Sequence, residues 1–120
     1  MGQASRYPRL KQGRYGIRGV WKIVDDEKLF FGSGKEYRRF LHLKLLEKGG
    51  VIRDLKRQVK FKFVVNDRLI TTLRVDATYV VVETGRKTVD EAKGPETPEY
   101  KIKRELFMAL YGGEYDYIQV

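Results

Sequence analysis

Two short stretches decide how this chain is read: Arg74-Val75-Asp76-Ala77-Thr78-Tyr79-Val80 and Thr88-Val89-Asp90-Glu91-Ala92-Lys93-Gly94. Gly85 marks a turn between them, and both have the apolar, β-branched character of strands. An antiparallel hairpin with a two-residue turn at Thr84-Gly85 sets Asp76 opposite Lys93 and Glu91 opposite Thr78. Residues two apart on a strand share a face. Asp76, Glu91 and Lys93 therefore converge on one side of a sheet, within the roughly 7–8 Å diagonal that long side chains bridge. The same period puts Glu91, not Asp90, beside Lys93.

This D…ExK constellation has a chemical logic. Phosphodiester hydrolysis needs a hard cation to neutralise the phosphate and lower the pKa of an attacking water, and oxygen ligands suit Mg²⁺ or Mn²⁺. Asp76 and Glu91 supply the oxygens, and the Ala92 carbonyl can add a third. The Lys93 ammonium can orient the water or offset charge on the phosphorane. Two neighbouring carboxylates favour its charged form, which argues against Lys93 as general base. The same spacing also fits a surface hairpin with a solvated Asp/Lys pair.

Composition narrows the choice. A chain of 120 residues forms one domain with a single core. No apolar run reaches membrane-spanning length and no signal-peptide core is present, so a soluble, cytoplasmic protein is expected. The chain has no cysteine and one histidine, His42, so disulfides and thiolate sites are excluded and a metal must be held by oxygen. Residues 1–75 hold 19 Lys/Arg against 7 Asp/Glu, whereas residues 76–120 hold 6 against 9, which together give the net charge of +9. A basic platform for a phosphate backbone beside a separate acidic pocket for metal is the arrangement a nuclease needs.

Residues 1–14 carry Arg6, Arg9, Lys11 and Arg14 among helix-breaking Gly and Pro, and read as a flexible basic arm. Ile17 to Val24 reads as a strand, Asp25-Asp26-Glu27 as a turn and Lys28 to Phe31 as the returning strand, with Trp21 expected to pack this hairpin onto the core. Ser33 and Glu36 have capping-box spacing ahead of Tyr37, Phe40, Leu41 and Leu45, which predicts a helix over about residues 34–48, ended by Gly49-Gly50. Alternation from Gln58 to Val65 predicts a strand, Asn66-Asp67-Arg68 a turn, and residues 70–83 and 87–93 two further strands in a meander. Thr97 as N-cap and Pro98 at the first helical position start a second helix. Tyr100, Phe107, Leu110 and Tyr111 lie along its apolar side, and Lys101, Lys103 and Arg104 along the exposed one. Gly112-Gly113 stops it, and residues 115–120 read as a last strand.

After the N-terminal hairpin, the order helix, three strands, helix, strand is that of the PD-(D/E)XK nuclease core. In detail the chain resembles a family of small phage and prophage proteins of that superfamily, many labelled only as a domain of unknown function and some as Holliday-junction-resolvase-like. The resemblance covers about residues 14–120. It runs through RYG at 14–16, FGSGKEYRRF at 31–40, LKLLEKGGVIRDL at 43–55 with Gln58 following, VDATYV at 75–80, DEAKG at 90–94 and TPEYKIKRELFMALYG at 97–112.

The resemblance implies an α/β (α+β) restriction-endonuclease-like core: a mixed central sheet flanked by two helices. It implies that Asp76 and Glu91 are metal ligands and Lys93 the catalytic lysine. Glu36 then corresponds to the acid that related nucleases carry on the first helix, although a capping box accounts for it equally. Gln58 falls where many relatives carry a Gln near the active site, and ordinary strand-edge polarity accounts for it too.

The function expected is Mg²⁺- or Mn²⁺-dependent endonucleolytic hydrolysis of DNA, branched or otherwise structured, in phage replication or recombination. A non-catalytic nucleic-acid-binding module and an RNA-directed nuclease are the alternatives. Arg14, Arg18, Lys35, Arg38, Arg39, Lys60, Lys62, Lys101, Lys103 and Arg104 are the candidate backbone contacts. Resolving a junction takes two symmetric cuts, so that substrate implies a homodimer.

Overall fold

The computed structural model describes residues 19–120. The basic arm read over residues 1–14, and Arg14 and Arg18 with it, lies outside them. The elements run β1 (Val20–Val24), β2 (Glu27–Phe31), α1 (Gly34–Lys48), β3 (Ile52–Val65), β4 (Arg68–Val81), β5 (Lys87–Glu91), α2 (Pro98–Tyr111) and β6 (Tyr115–Gln119). No helix among the described residues is long and apolar enough to cross a membrane. The described residues divide into two compact units, one up to Arg39 and the other from Phe40 to Val120.

In the first unit, β1 and β2 pair antiparallel, Val20 with Phe31 through Val24 with Glu27. The turn is Asp25-Asp26, both at positive φ (51° and 67°), a backbone whose twist matches that of a tight hairpin and which Asp tolerates better than most residues. Val24 and Phe31 are buried. Trp21 is not, contrary to expectation: it belongs to the opposite face of the ribbon and is 61% exposed. At the start of α1 the Glu36 N–H donates to Ser33 Oγ (3.1 Å). The Glu36 carboxylate in turn accepts from the Gly32 N–H at 3.0 Å, a return bond of the capping-box kind made to the residue before Ser33.

In the second unit a four-stranded sheet runs β3-β4-β5-β6. The first two pairings are antiparallel and β5 pairs parallel with β6, with α2 as the crossover. The fold is thus mixed α+β, a four-stranded mixed sheet with two helices in addition to the two-stranded hairpin. α1 ends as its glycines predict: Gly50 takes φ +79°, and the Val51 and Gly50 N–H groups return to Leu46 and Glu47 carbonyls. Thr97 accepts from the Tyr100 N–H with Pro98 next in line, so α2 starts where its cap predicts.

Each sheet face has its own core. Phe107 of α2 is fully buried among Phe61, Phe63, Leu73, Val75 and Val89, and packs edge-on to Phe61 with ring centroids 4.9 Å apart. Burying a side chain of that size contributes on the order of 2–3 kcal/mol. Leu43 of α1 is buried with Ile52, Ala77 and Tyr79. Val75 and Ala77 are two apart on one strand yet belong to different clusters, so β4 turns over at Asp76. Across from it, between the pairs Arg57↔Ala77 and Val59↔Val75, stands Gln58 with φ +52°.

Two sequence boundaries move for physical reasons. β3 starts at Ile52, not Gln58, because Asp54 (φ +57°) and a register shift between Arg53 and Lys56 interrupt the period-two signal. β4 starts at Arg68 because Asn66-Asp67 alone, both at positive φ, make the turn.

Candidate functional site

The β4–β5 register differs from the one a two-residue turn would set. Ala77 faces Asp90, Thr78 faces Val89, Tyr79 faces Thr88 and Val80 faces Lys87. The connection is a four-residue loop, residues 82–85: the Gly85 N–H donates to the Val81 carbonyl (2.7 Å) and the Val81 N–H to that of Arg86 (2.9 Å). Gly85 sits at φ +73° with open space around it, a conformation that favours glycine. Asp76 therefore falls opposite Glu91, not Lys93, and Thr78 opposite Val89, not Glu91. The slip is two residues, which preserves the face. Asp76 and Glu91 end up closer than expected, with Lys93 the next residue on that side.

The two acids are held from opposite directions. Asp76 Oδ2 accepts the Ala92 N–H at 2.9 Å. Glu91 Oε2 accepts the hydroxyls of Tyr100, on α2 at 2.6 Å, and Tyr117, on β6. The two hydroxyls lie 2.8 Å apart. Beyond Glu91 the parallel pairing continues, with the Val120 N–H donating to the Glu91 carbonyl and the Lys93 N–H to the Val120 carbonyl. This pins the backbone of Glu91-Ala92-Lys93 along its length, while the Lys93 side chain is exposed.

Burial pushes the Glu91 carboxyl above its ordinary range; the Tyr100 and Tyr117 hydroxyls pull it back, and the Asp76 charge pushes it up again. Burial, with the Glu91 carboxylate second, pushes the Tyr100 hydroxyl up to about 12. Tyr117 moves upward for the same two reasons. All three groups hold their protons more tightly than they would in water.

A pocket of about 190 Å³ opens beside this cluster, lined by Glu91, Ala92, Gly94, Pro95, Glu96, Tyr100 and Gln119. Arg104 donates to Glu96 (2.9 Å) and to Gln119 (3.0 Å) and lies over the Tyr100 ring, 5.5 Å from its centroid. Helical periodicity predicts an exposed stripe for Arg104; it is instead half-buried in this wall. Lys103 is also half-buried, paired with Glu99 at 3.1 Å, while Lys101 is exposed.

The other sequence candidates fall as follows. Gln58 stands across from Asp76 on β3, exposed. Lys60 and Lys62 are exposed on β3, and Lys60 pairs directly with Arg74, a third cation of the same face that sequence reasoning misses. Glu36, Lys35, Arg38 and Arg39 belong to the first unit. Asp90 is 1% exposed and accepts from the Tyr79 hydroxyl at 2.8 Å, on the face opposite Glu91.

Sequence reasoning also misses Tyr100 and Tyr117 as polar partners, since periodicity shows Tyr100 only as part of an apolar stripe. The usable signal is chemical: a buried tyrosine hydroxyl must find an acceptor.

Among the described residues no three His, Asp or Glu side chains gather as a metal-ligand set. Asp76 and Glu91 form a pair of like charges. A pair suffices for Mg²⁺, which keeps several waters and takes one or two carboxylates together with substrate phosphates. A cation would also relieve the repulsion that Asp76 exerts on Glu91.

No curated protein and no solved structure matches the chain. One family model does, over residues 14–118, and the chain therefore belongs to the family described as protein of unknown function (DUF1064).

Proposed function

We propose that this chain is a divalent-metal-dependent endonuclease of the PD-(D/E)XK superfamily that hydrolyses DNA phosphodiester bonds. The observation that carries the reading is that Asp76 accepts the Ala92 N–H and lies close enough to Glu91 for the two charges to interact. The β4–β5 register agrees when continued one step past Ala77↔Asp90, with Lys93 two residues on. The order of elements and the mixed sheet support it further. Asp76 and Glu91 would hold Mg²⁺ or Mn²⁺, with the Ala92 carbonyl able to join them. A bound cation supplies charge neutralisation at the phosphate and a more acidic water. Tyr100 and Tyr117 keep Glu91 Oε2 engaged, which fixes how its carboxylate is presented. Lys93 brings a cation to the open side of the pair, where charge builds on a phosphate.

The resemblance points to branched or structured DNA as the substrate class, and a junction, which takes two symmetric cuts, would require a homodimer. The experiment is incubation of the purified chain with linear duplex, single-stranded, flap and four-way-junction DNA, each with Mg²⁺, Mn²⁺ or EDTA. Metal-dependent cleavage that Asp76→Asn lowers by more than about a hundred-fold supports the reading, since losing an outer-shell partner alone costs about 10–100-fold. Asn keeps the acceptor for Ala92, so its melting temperature should stay near that of wild type. Tight DNA binding with no cleavage of any substrate would leave a binding module in its place.

A further inference from the structure

The β1–β2 hairpin has one face that the proposed chemistry does not use. Register alternation puts Trp21, Ile23, Lys28 and Phe30 together on it. Trp21 is 61%, Ile23 66% and Phe30 48% exposed, whereas Val24 and Phe31 on the reverse face are buried. Large apolar side chains gathered on one face of a ribbon mark an interaction surface. The rings are also held in place. Trp21 and Phe30 are directly cross-strand, with centroids 5.2 Å apart and planes at 60°. The Phe30 ring lies so close to Gly19 that a Cβ there would come within 2.1 Å of it.

The charge around this face selects the partner. Lys28 Nζ lies 5.1 Å from the Trp21 ring centre, and the face contains no acid; Asp25 and Asp26 are in the turn. Residues 19–24, which lead into and form β1, contain Lys22 but no Asp or Glu. Exposed aromatic rings beside cations are what an unpaired, negatively charged strand binds: the bases stack and the phosphates meet the ammonium groups.

We infer that the Trp21–Phe30 face of the hairpin is a stacking platform for unpaired nucleobases. The inference shares with the proposed function only the premise that the ligand is a nucleic acid. It can be scored without metal or cleavage.

Trp21 is the only tryptophan in the chain, so its emission reports the platform directly. The full chain, in EDTA at low salt, is titrated with oligothymidylate, oligouridylate, a blunt DNA duplex and anionic phospholipid vesicles. Binding is followed in parallel by the anisotropy of labelled oligonucleotides. Saturable quenching by a single strand, absent with the duplex, is the expected result; quenching by both single strands shows that neither the 2′-hydroxyl nor the thymine methyl group is needed, and quenching by one shows that one of these two adds to the stacking. Trp21→Phe should keep the affinity for the single strand and Trp21→Leu should lose about ten-fold or more, both being exposed substitutions that leave the buried face intact.

Absence of single-strand binding, binding without quenching, or equal quenching by duplex overturns the inference. So does quenching by vesicles alone, or with rising protein concentration alone, which would make lipid or a second copy the occupant. A chain that cleaves DNA can fail this test, and one that does not cleave can pass it.

Discussion

The Tyr79 hydroxyl donates to Oδ2 of Asp90 at 2.8 Å, on the face of the sheet turned away from Glu91. Neighbouring acids in one strand thus have separate duties, and variants should separate them. Tyr79→Phe removes a donor from a carboxylate that is 1% exposed, which costs about 1–3 kcal/mol. Chemical denaturation should show that loss, while Mg²⁺ still raises the melting temperature of the variant. Loss of the Mg²⁺ response in Tyr79→Phe would place Asp90 in the metal's reach.

Glu91 should behave in the opposite way. Its folded-state carboxyl is raised above the ordinary 4.5, chiefly by burial. The folded chain therefore binds this proton more tightly than the unfolded one, and the associated stability is complete below the ordinary value and lost as pH rises through the folded one. Near neutral pH the ionised side chain weakens the metal-free fold. In EDTA, Glu91→Gln should melt above wild type near neutral pH, with the gap closing in acid, and Mg²⁺ should stabilise wild type alone. An equal gap at every pH would mean that burial does not act on the charge.

The Lys60↔Arg74 pair sets two like charges directly opposite each other on the exposed face of β3 and β4. Such pairs destabilise a sheet by about 0.2–1 kcal/mol. Lys60→Gln should therefore stabilise the chain slightly while reducing the log–log salt slope of duplex DNA binding by about 0.9 for each phosphate that is no longer neutralised. Higher stability with an unchanged slope would move the DNA path off this face.

At the head of α1, Glu36→Gln keeps an acceptor for the Gly32 N–H and Glu36→Ala does not. The alanine variant should be about 1 kcal/mol less stable than the glutamine variant. Identical melting of the two would show that the side chain adds nothing to the cap.

Local chemistry is legible in the sequence; pairing is not. Ser33 and Thr97 announce both helix starts and Gly50 the first helix end, because caps are decided within a few residues. The face shared by Asp76, Glu91 and Lys93 is legible too, since period two survives any even slip. The register itself turns on whether two or four residues close the loop before Arg86, a choice made by backbone hydrogen bonds that leave no mark on composition. Tyr117 reaches Glu91 only because β6 runs parallel to β5, and a five-residue strand does not declare its neighbour. Hydrophobicity alone assigns Trp21 to a core, whereas its alternation with buried Val24 and Phe31 already allows the open face.

The loop at residues 82–85 carries a further consequence for descent and for design. A single-residue deletion there, followed by a one-step shift of β5, would bring Asp90 to the open side and turn Glu91 toward Tyr79 and Leu43. Every carboxylate would still be present in the sequence, and the Asp76–Glu91 juxtaposition would be gone. Among sequences of this kind, spacing between the two strands is then as sharp a marker of a dismantled acid pair as substitution of an acid, and restoring one loop residue is the shortest route back.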